Sequence, residues 1–462
     1  MIKLLPLSYL LFLIAFTSCN ENIETEDATY FGGEIINPKD DFVLLYKDDV
    51  LIDSVALDEK NRFLYKFNDF TSGLYHFNHK EYQYVYIEPT DSIVFRLNTI
   101  DFDESLTFSG KGANKNNFII NTFLANEKHH KKAFKLYKLP AEKFSTLISG
   151  ELKQRLNMLE QYKERYDFPE GFNEVANAHI VYHFHALKER YPIYNRQQAD
   201  SINKEEFYKF RDNIDFNTGN LGSFYPYYEY LYALIDNLSA QKLKQSHPNE
   251  NHLSSYNSKV DVIDSLVQNE TLKNQLLKNT TLHYLTNTKC KTKANEVLTY
   301  FNKHNTSIEN KEKVTKLVNA IKRLSVGNYI PDFNVTTIEN KTFAFKNTVH
   351  KPTVVYFWSS NNPRHLKSVY KKVVQYSSNK NFNFVGVSID DNKKDWEKYS
   401  IKLNLKNGYL LTDPIIAKEN LLIQNINKVY VLDKNAKILS SDLNIFDPHF
   451  SEKLNLLYKV IK

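Results

Sequence analysis

Val354-Val355-Tyr356-Phe357-Trp358 is an unbroken apolar run. A strand without polar alternation is buried on both faces, as central strands of α/β sheets are. The run stops at Ser359-Ser360-Asn361, and Asn362-Pro363 follows as an N-cap and first-turn pair. A buried strand leading directly into a helix, from about Pro363 to Ser377, commits this part of the chain to alternating strands and helices. The next strand is read at residues 382–389, then Asp390-Asp391 and a helix through Trp396. Leu410 to Asp413 follows, then a strand at 428–433, a turn at Lys434-Asn435-Ala436, a strand at 437–439 and a last helix from about Phe450. The order β-α-β-α-β-β-α has the crossovers that central parallel strands need, and a terminal hairpin.

The preceding residues have other periods. Residues 28–112 carry short β-branched and aromatic runs at 42–46, 50–52, 63–67, 82–87 and 92–97, divided at Asn37-Pro38, Ser72-Gly73 and Glu88-Pro89-Thr90-Asp91. That spacing predicts a small β-sandwich or barrel. In residues 113–325 the apolar positions recur at helical spacing, as in Phe118, Ile119 and Phe123, then Phe144 and Leu147. Pro140 opens a helix running to about Tyr166, Pro192 and Gly219 to Gly222 punctuate others, and helices follow near 260–268, 272–287, 292–304 and 310–324. Aromatic residues make up 14% of the chain, with 31 Tyr and 31 Phe, which is ample material for several cores. The net charge of +6 comes from interleaved acids and bases and gives no separate reason to expect nucleic-acid binding.

Residues 1–19 read as a targeting segment: Lys3, an apolar stretch from Leu4 to Phe16 too short to span a bilayer, and Phe16-Thr17-Ser18-Cys19. The last four residues resemble a bacterial lipoprotein lipobox, with Phe16 where Leu is usual. The resemblance implies cleavage before Cys19 and acylation of its thiol. Residues 20–27 form an acidic tether with Glu21, Glu24, Glu26 and Asp27, and Asn20 after the cysteine resembles an outer-membrane signal. The expected location is the cell envelope, lipid-anchored at the outer membrane, on its periplasmic or surface face.

Residues 326–462 resemble the thioredoxin-like domain of the TlpA/ResA thiol–disulfide oxidoreductases, close to the AhpC/TSA group. The matching pieces are 327–333 as the lead-in, 354–360 as the strand before the site, Val385-Gly386-Val387-Ser388-Ile389-Asp390, and the hairpin 429–438. The β-rich and helical segments resemble the N-terminal half of lipoproteins of this family from Gram-negative bacteria. The resemblance implies a multidomain chain: an N-terminal β-sandwich-like domain, a central all-α segment and a C-terminal α/β thioredoxin-like domain. It also places the family's nucleophilic cysteine on Asn362, its resolving cysteine on His365 and its cis-proline on Asn427. Thiol exchange needs a thiolate and a second thiol, and neither Asn362 nor His365 supplies one. A cis bond before Asn427 would cost ~3 kcal/mol, so a trans peptide is expected there.

Other candidates carry less. Cys290, between Lys289 and Lys291, has no second cysteine in the chain once Cys19 is acylated. His179 and His183 have the i, i+4 spacing that can hold zinc, with His185 close by, but Ile180 stands where a zinc-protease helix has glutamate. We read them as solvated or core histidines, and His129-His130 beside Lys131-Lys132 as a solvated basic face. Tyr225, Tyr227, Tyr228, Tyr230 and Tyr232 read as helix packing.

The sequence therefore points to an envelope-anchored, redox-inactive thioredoxin-like lipoprotein, a pseudoenzyme acting as a binding or scaffold module. Its contact surface would comprise Trp358, Asn361, Asn362, Pro363, Arg364, His365 and Asn427. Partners would be the membrane, through the lipid anchor, and an envelope protein or extended peptide; no metal, cofactor or nucleic acid is expected. The alternative is a thiol–disulfide oxidoreductase with an atypical site using Cys290.

Overall fold

The structure is a computed structural model. It describes residues 28–461, apart from 215, 217–220, 223, 247–251, 288–292, 391–392, 404, 406–407 and 424–425. The residues read as a targeting segment and an acidic tether, with Cys19 and Cys290, lie outside the described residues. Two compact units divide the chain, one comprising the residues up to Leu234 and the other those from Ile235 on, apart from a short stretch at 215–219.

The first unit begins with eight strands, β1 (Tyr30–Ile36), β2 (Phe42–Lys47), β3 (Val50–Ala56), β4 (Arg62–Lys66), β5 (Gly73–His79), β6 (Glu81–Ile87), β7 (Ser92–Asn98) and β8 (Thr107–Lys111), with a helical turn α1 (Phe102–Ser105) before the last. They form two four-stranded sheets, ordered β4-β1-β7-β8 and β3-β2-β5-β6. One core fills the space between them, including Phe31, Val43, Phe77, Val85, Phe95 and Phe108. The region is β-rich as expected. Because β1 runs parallel to β7, it departs from the all-antiparallel pairing of a plain sandwich. β1 escaped the sequence reading because it contains Gly32-Gly33, residues of low strand propensity. A Cβ on Gly32 would fall 2.5 Å from the Phe63 carbonyl oxygen, and one on Gly33 2.8 Å from the Phe95 ring. The neighbouring strand and ring press too closely for a side chain.

Helices α2 (Ala113–Leu136), α3 (Ala141–Tyr166), α4 (Glu170–Tyr194), α5 (Lys204–Phe207) and the first part of α6 (Tyr225–Ser246) complete this unit. The first turn of α2 fastens both sheets. Asn116 accepts from the Tyr86 amide at 2.7 Å and donates to its carbonyl at 3.0 Å, as a further strand beside edge strand β6 would. Asn117 does the same for Phe108 on edge strand β8, at 3.0 and 2.9 Å. Two adjacent amides thus satisfy edge backbone that would otherwise stand unpaired. Lys115 beside them is buried and pairs with Glu88 and Asp91. Pro140 stands immediately before α3 rather than inside its first turn, and Pro192 sits in the last turn of α4 without ending it. Tyr227 and Tyr230 are fully buried and pack on Tyr182, so this part of the tyrosine cluster is core.

The second unit holds the rest of α6, α7 (His252–Leu266), α8 (Glu270–Asn287), α9 (Ala294–His304) and α10 (Ile308–Arg323), followed by the C-terminal α/β domain. Its elements are β9 (Asn334–Thr336), β10 (Thr342–Ala344), β11 (Thr353–Trp358), α11 (Pro363–Tyr376), β12 (Asn383–Ser388), α12 (Lys393–Lys402), β13 (Gly408–Leu411), α13 (Pro414–Leu421), β14 (Lys428–Leu432), β15 (Ile438–Asn444) and α14 (Phe450–Ile461). The sheet order is β10-β9-β13-β12-β11-β14-β15. β11, β12 and β13 run parallel, and β14 and β15 form the antiparallel hairpin. Every residue of β11 is buried. Val355 and Phe357 enter the core on one face, and Val354, Tyr356 and Trp358 the core on the other. The three-residue strands β9 and β10 lie beyond the sequence reading because they give too little periodicity to register, β13 is met only through Leu410-Leu411, and the eight-residue helix α13 is missed. Among the described residues no helix is long and apolar enough to cross a membrane.

Candidate functional site

The loop between β11 and α11 is held by a buried carboxylate. Asp390, just after β12, accepts from Ser359 Oγ at 2.5 Å, from the Ser360 amide at 2.8 and 2.9 Å, and from Ser388 Oγ at 2.7 Å. Ser359 Oγ in turn accepts from the Asn361 amide at 3.1 Å. β11 and β12 are parallel neighbours, so their C-terminal ends bring Ser359 and Asp390 to the same edge of the sheet. Sequence reasoning treated Asp390 as part of a strand signature and missed this role. Its signal was an acidic pair, Asp390-Asp391, closing a buried apolar strand.

The helix start follows. Asn362 is the N-cap of α11, its Oδ1 accepting from the His365 amide at 3.1 Å, with Pro363 at the first helical position. His365 lies in the first turn, half-buried. Its Nε2 is 2.8 Å from Oδ1 of Asn427, the residue preceding β14. An amide oxygen only accepts, so Nε2 carries the proton and Nδ1 holds the lone pair. Nδ1 is buried with no hydrogen-bond partner among the described residues. Desolvation lowers the His365 pKa below its ordinary value, and the Asn427 hydrogen bond partly offsets this. The ring is therefore neutral near pH 7. Its basic nitrogen faces the protein interior, a poor position for a general base.

The expected positions thus gather in part. Asn362, Pro363, His365 and Asn427 meet at one junction, and Asn361, Asn362, Pro363 and Arg364 are exposed. Trp358 departs from its expected place on a contact surface: it is 0% exposed and packs in the core that also holds Leu366, Val369 and Trp396. It ends a strand covered on both faces, so its ring supports the loop from beneath. No peptide bond among the described residues is cis, and Asn427 follows a trans bond. Neither cysteine of the chain falls among the described residues, so nothing described here can form a mixed disulfide.

Residues 350–438 match a protein family described as thioredoxin-like. The C-terminal domain is a thioredoxin-like domain. Its strand–helix junction at 358–365 includes Asn362 and His365, on which the family resemblance places the redox pair. Solved structures similar to this domain include the thioredoxin domain of a thiol-disulfide oxidoreductase from Bacteroides vulgatus, 20% identical, covering 29% of this chain and 99% of that one with a TM-score of 0.26. A thiol:disulfide interchange protein from Bacteroides sp. is 20% identical and covers 29% of this chain and 90% of that one, with a TM-score of 0.23. No curated protein matches the chain.

The histidines of the first unit do not converge on a metal. His179 Nε2 bonds Tyr225 Oη at 2.8 Å, while His183 Nε2 lies 3.0 Å from Nδ1 of His129. His185 stacks near Phe210. His129 is not on a solvated basic face: it is buried, and its Nε2 lies 3.0 Å from Glu151 Oε2. His130 is the next residue, and the ~100° rotation per residue of an α-helix puts it on a different, exposed face. Among the described residues no cluster of His, Cys, Asp and Glu is arranged to hold a metal ion.

Proposed function

We propose that this chain is an envelope-anchored lipoprotein of TlpA/ResA-like ancestry whose thioredoxin-like domain is redox-inactive and acts as a binding module. The observation that carries the reading is the use made of the two thiol positions. Asn362 caps α11 and His365 is tied to Asn427, so both side chains serve the loop that thiols would have made reactive. Asn361, Asn362 and Arg364 remain exposed beside that junction and offer the contact surface for an extended envelope polypeptide.

The deciding experiment is insulin-disulfide reduction by the full chain with dithiothreitol, beside the double variant Asn362→Cys/His365→Cys. The proposal expects silence from the unmodified chain. Turnover lost on Cys290→Ser would instead establish the alternative, a thiol–disulfide oxidoreductase acting through Cys290. Anchoring is tested by labelling cells with a palmitate analogue. Incorporation that disappears in Cys19→Ser supports a lipoprotein, and its absence from the unmodified chain removes the anchor from the proposal.

A further inference from the structure

α11 carries Arg364, Lys367, Lys371 and Lys372 and no acidic residue anywhere along its length. Arg364, Lys367 and Lys371 are all exposed. At helical spacing they fall within one narrow stripe that starts beside Asn361 and Asn362 and runs ~10 Å along the axis. Among the described residues none of the three is held in an ion pair, whereas Lys372 lies over the Tyr376 ring. The opposite side of the helix, Leu366, Val369 and Val373, is buried.

The arrangement runs against the helix's own electrostatics. Cations are favoured at a helix C-terminus and disfavoured at the N-terminus. Here Arg364 occupies the first turn, no acid accompanies it, and no base occupies the last turn. Internal stability does not account for such a placement, whereas an external anion does.

We infer that this stripe is the docking face for an acidic polypeptide segment, bound in extended form across the start of α11. The inference rests on the binding-module reading and names the class of partner. Same-side residues of an extended chain stand ~6.8 Å apart. The axial steps from Arg364 to Lys367 and from Lys367 to Lys371 are ~4.5 and ~6 Å. Alternate carboxylates on a strand therefore reach successive cations, while the Asn361 and Asn362 side chains lie at one end of the stripe. A membrane fits less well, because an interfacial helix inserts an apolar face and α11 turns its own into the core. Single-stranded nucleic acid would want exposed aromatic rings for stacking, and the stripe has none.

The test uses the full chain and a fluorescent peptide of alternating Glu and Thr, read by anisotropy at about 50 mM and about 300 mM salt. Arg364→Glu/Lys367→Glu/Lys371→Glu is compared with Lys402→Glu/Lys434→Glu/Lys459→Glu, an equal change of charge at exposed positions off the stripe. The expected result is binding that weakens with salt, falls about tenfold or more in the first variant and less than about twofold in the second. Acids at the start of a helix are favourable, so the first variant should melt no lower than the parent chain. Equal loss in both variants, no binding at low salt, or preferential capture of anionic vesicles or oligonucleotides overturns the inference. Insulin turnover with peptide binding intact would defeat the redox-inactive reading alone. Silence in that assay with no peptide binding would defeat this inference alone.

Discussion

His365 Nε2 and Asn427 Oδ1, 62 positions apart in the chain, meet at 2.8 Å and tie the first turn of α11 to the residue preceding β14. The contact spans the junction at which the thioredoxin-like fold brings its helix start against the β14 hairpin. A double-mutant cycle with His365→Ala and Asn427→Ala should give a coupling of about 0.5–1.5 kcal/mol in urea unfolding. Because burial depresses the His365 pKa, the stability that His365 contributes should be full above the ordinary histidine pKa of about 6.5 and be lost as pH falls through the lower folded value, while the coupling to Asn427, whose bond favours the protonated ring, should persist or grow. A coupling near zero, or one that vanishes on mild acidification while the chain stays folded, would show that the hydrogen bond does not hold the junction.

Asp390 should matter more than any side chain exposed at the site. Its carboxylate accepts from two hydroxyls and one amide while 2% exposed. Asp390→Asn places an amide donor among donors, which should cost about 1–3 kcal/mol. Thermal melting of the full chain measures this. Hydrogen exchange at the Ser360 amide should accelerate in the variant, and unchanged protection there would mean that the loop holds itself without Asp390.

Asn116 and Asn117 offer a direct comparison of two edge strands. Asn116→Ala strands the Tyr86 backbone pair in a buried setting, and Asn117→Ala strands the Phe108 pair in a half-buried one. The first should cost about 2–3 kcal/mol and the second less, because water can reach the freed groups. Equal losses in chemical denaturation would argue that the amides act only as helix residues.

Acid should unfold the first unit earlier than carboxylate protonation alone would. His179 and His185 are each lowered to about 3, both chiefly by burial, and burial likewise holds His183 well below its ordinary value. Above about pH 6.5 both folded and unfolded chains hold these rings neutral, and the full stability is present. As pH falls below that, the unfolded chain takes up protons that the folded chain refuses, and stability drops towards pH ~3. Each histidine adds a slope of up to about 1.4 kcal/mol per pH unit. His185→Phe should flatten the slope by one proton. A variant with the parent's slope would mean that His185 titrates normally in the fold.

Much of the C-terminal domain was legible in the residues themselves. The uniform apolar run 354–358 forced a strand covered on both faces, and Asn362-Pro363 set the helix start, because capping and proline geometry act within a few residues. The absence of thiols at 362 and 365 needed no structure at all. Tertiary structure decided what the replacements do. That His365 meets Asn427, that Asp390 gathers Ser359 and Ser360, that Trp358 packs in one core with Trp396, and that His129 leaves its basic neighbours to bond His183 are long-range pairings. Such contacts arise only when strands pair and helices pack. Local periodicity records which face of an element is apolar, but not which distant polar group the fold will bring within 3 Å of it.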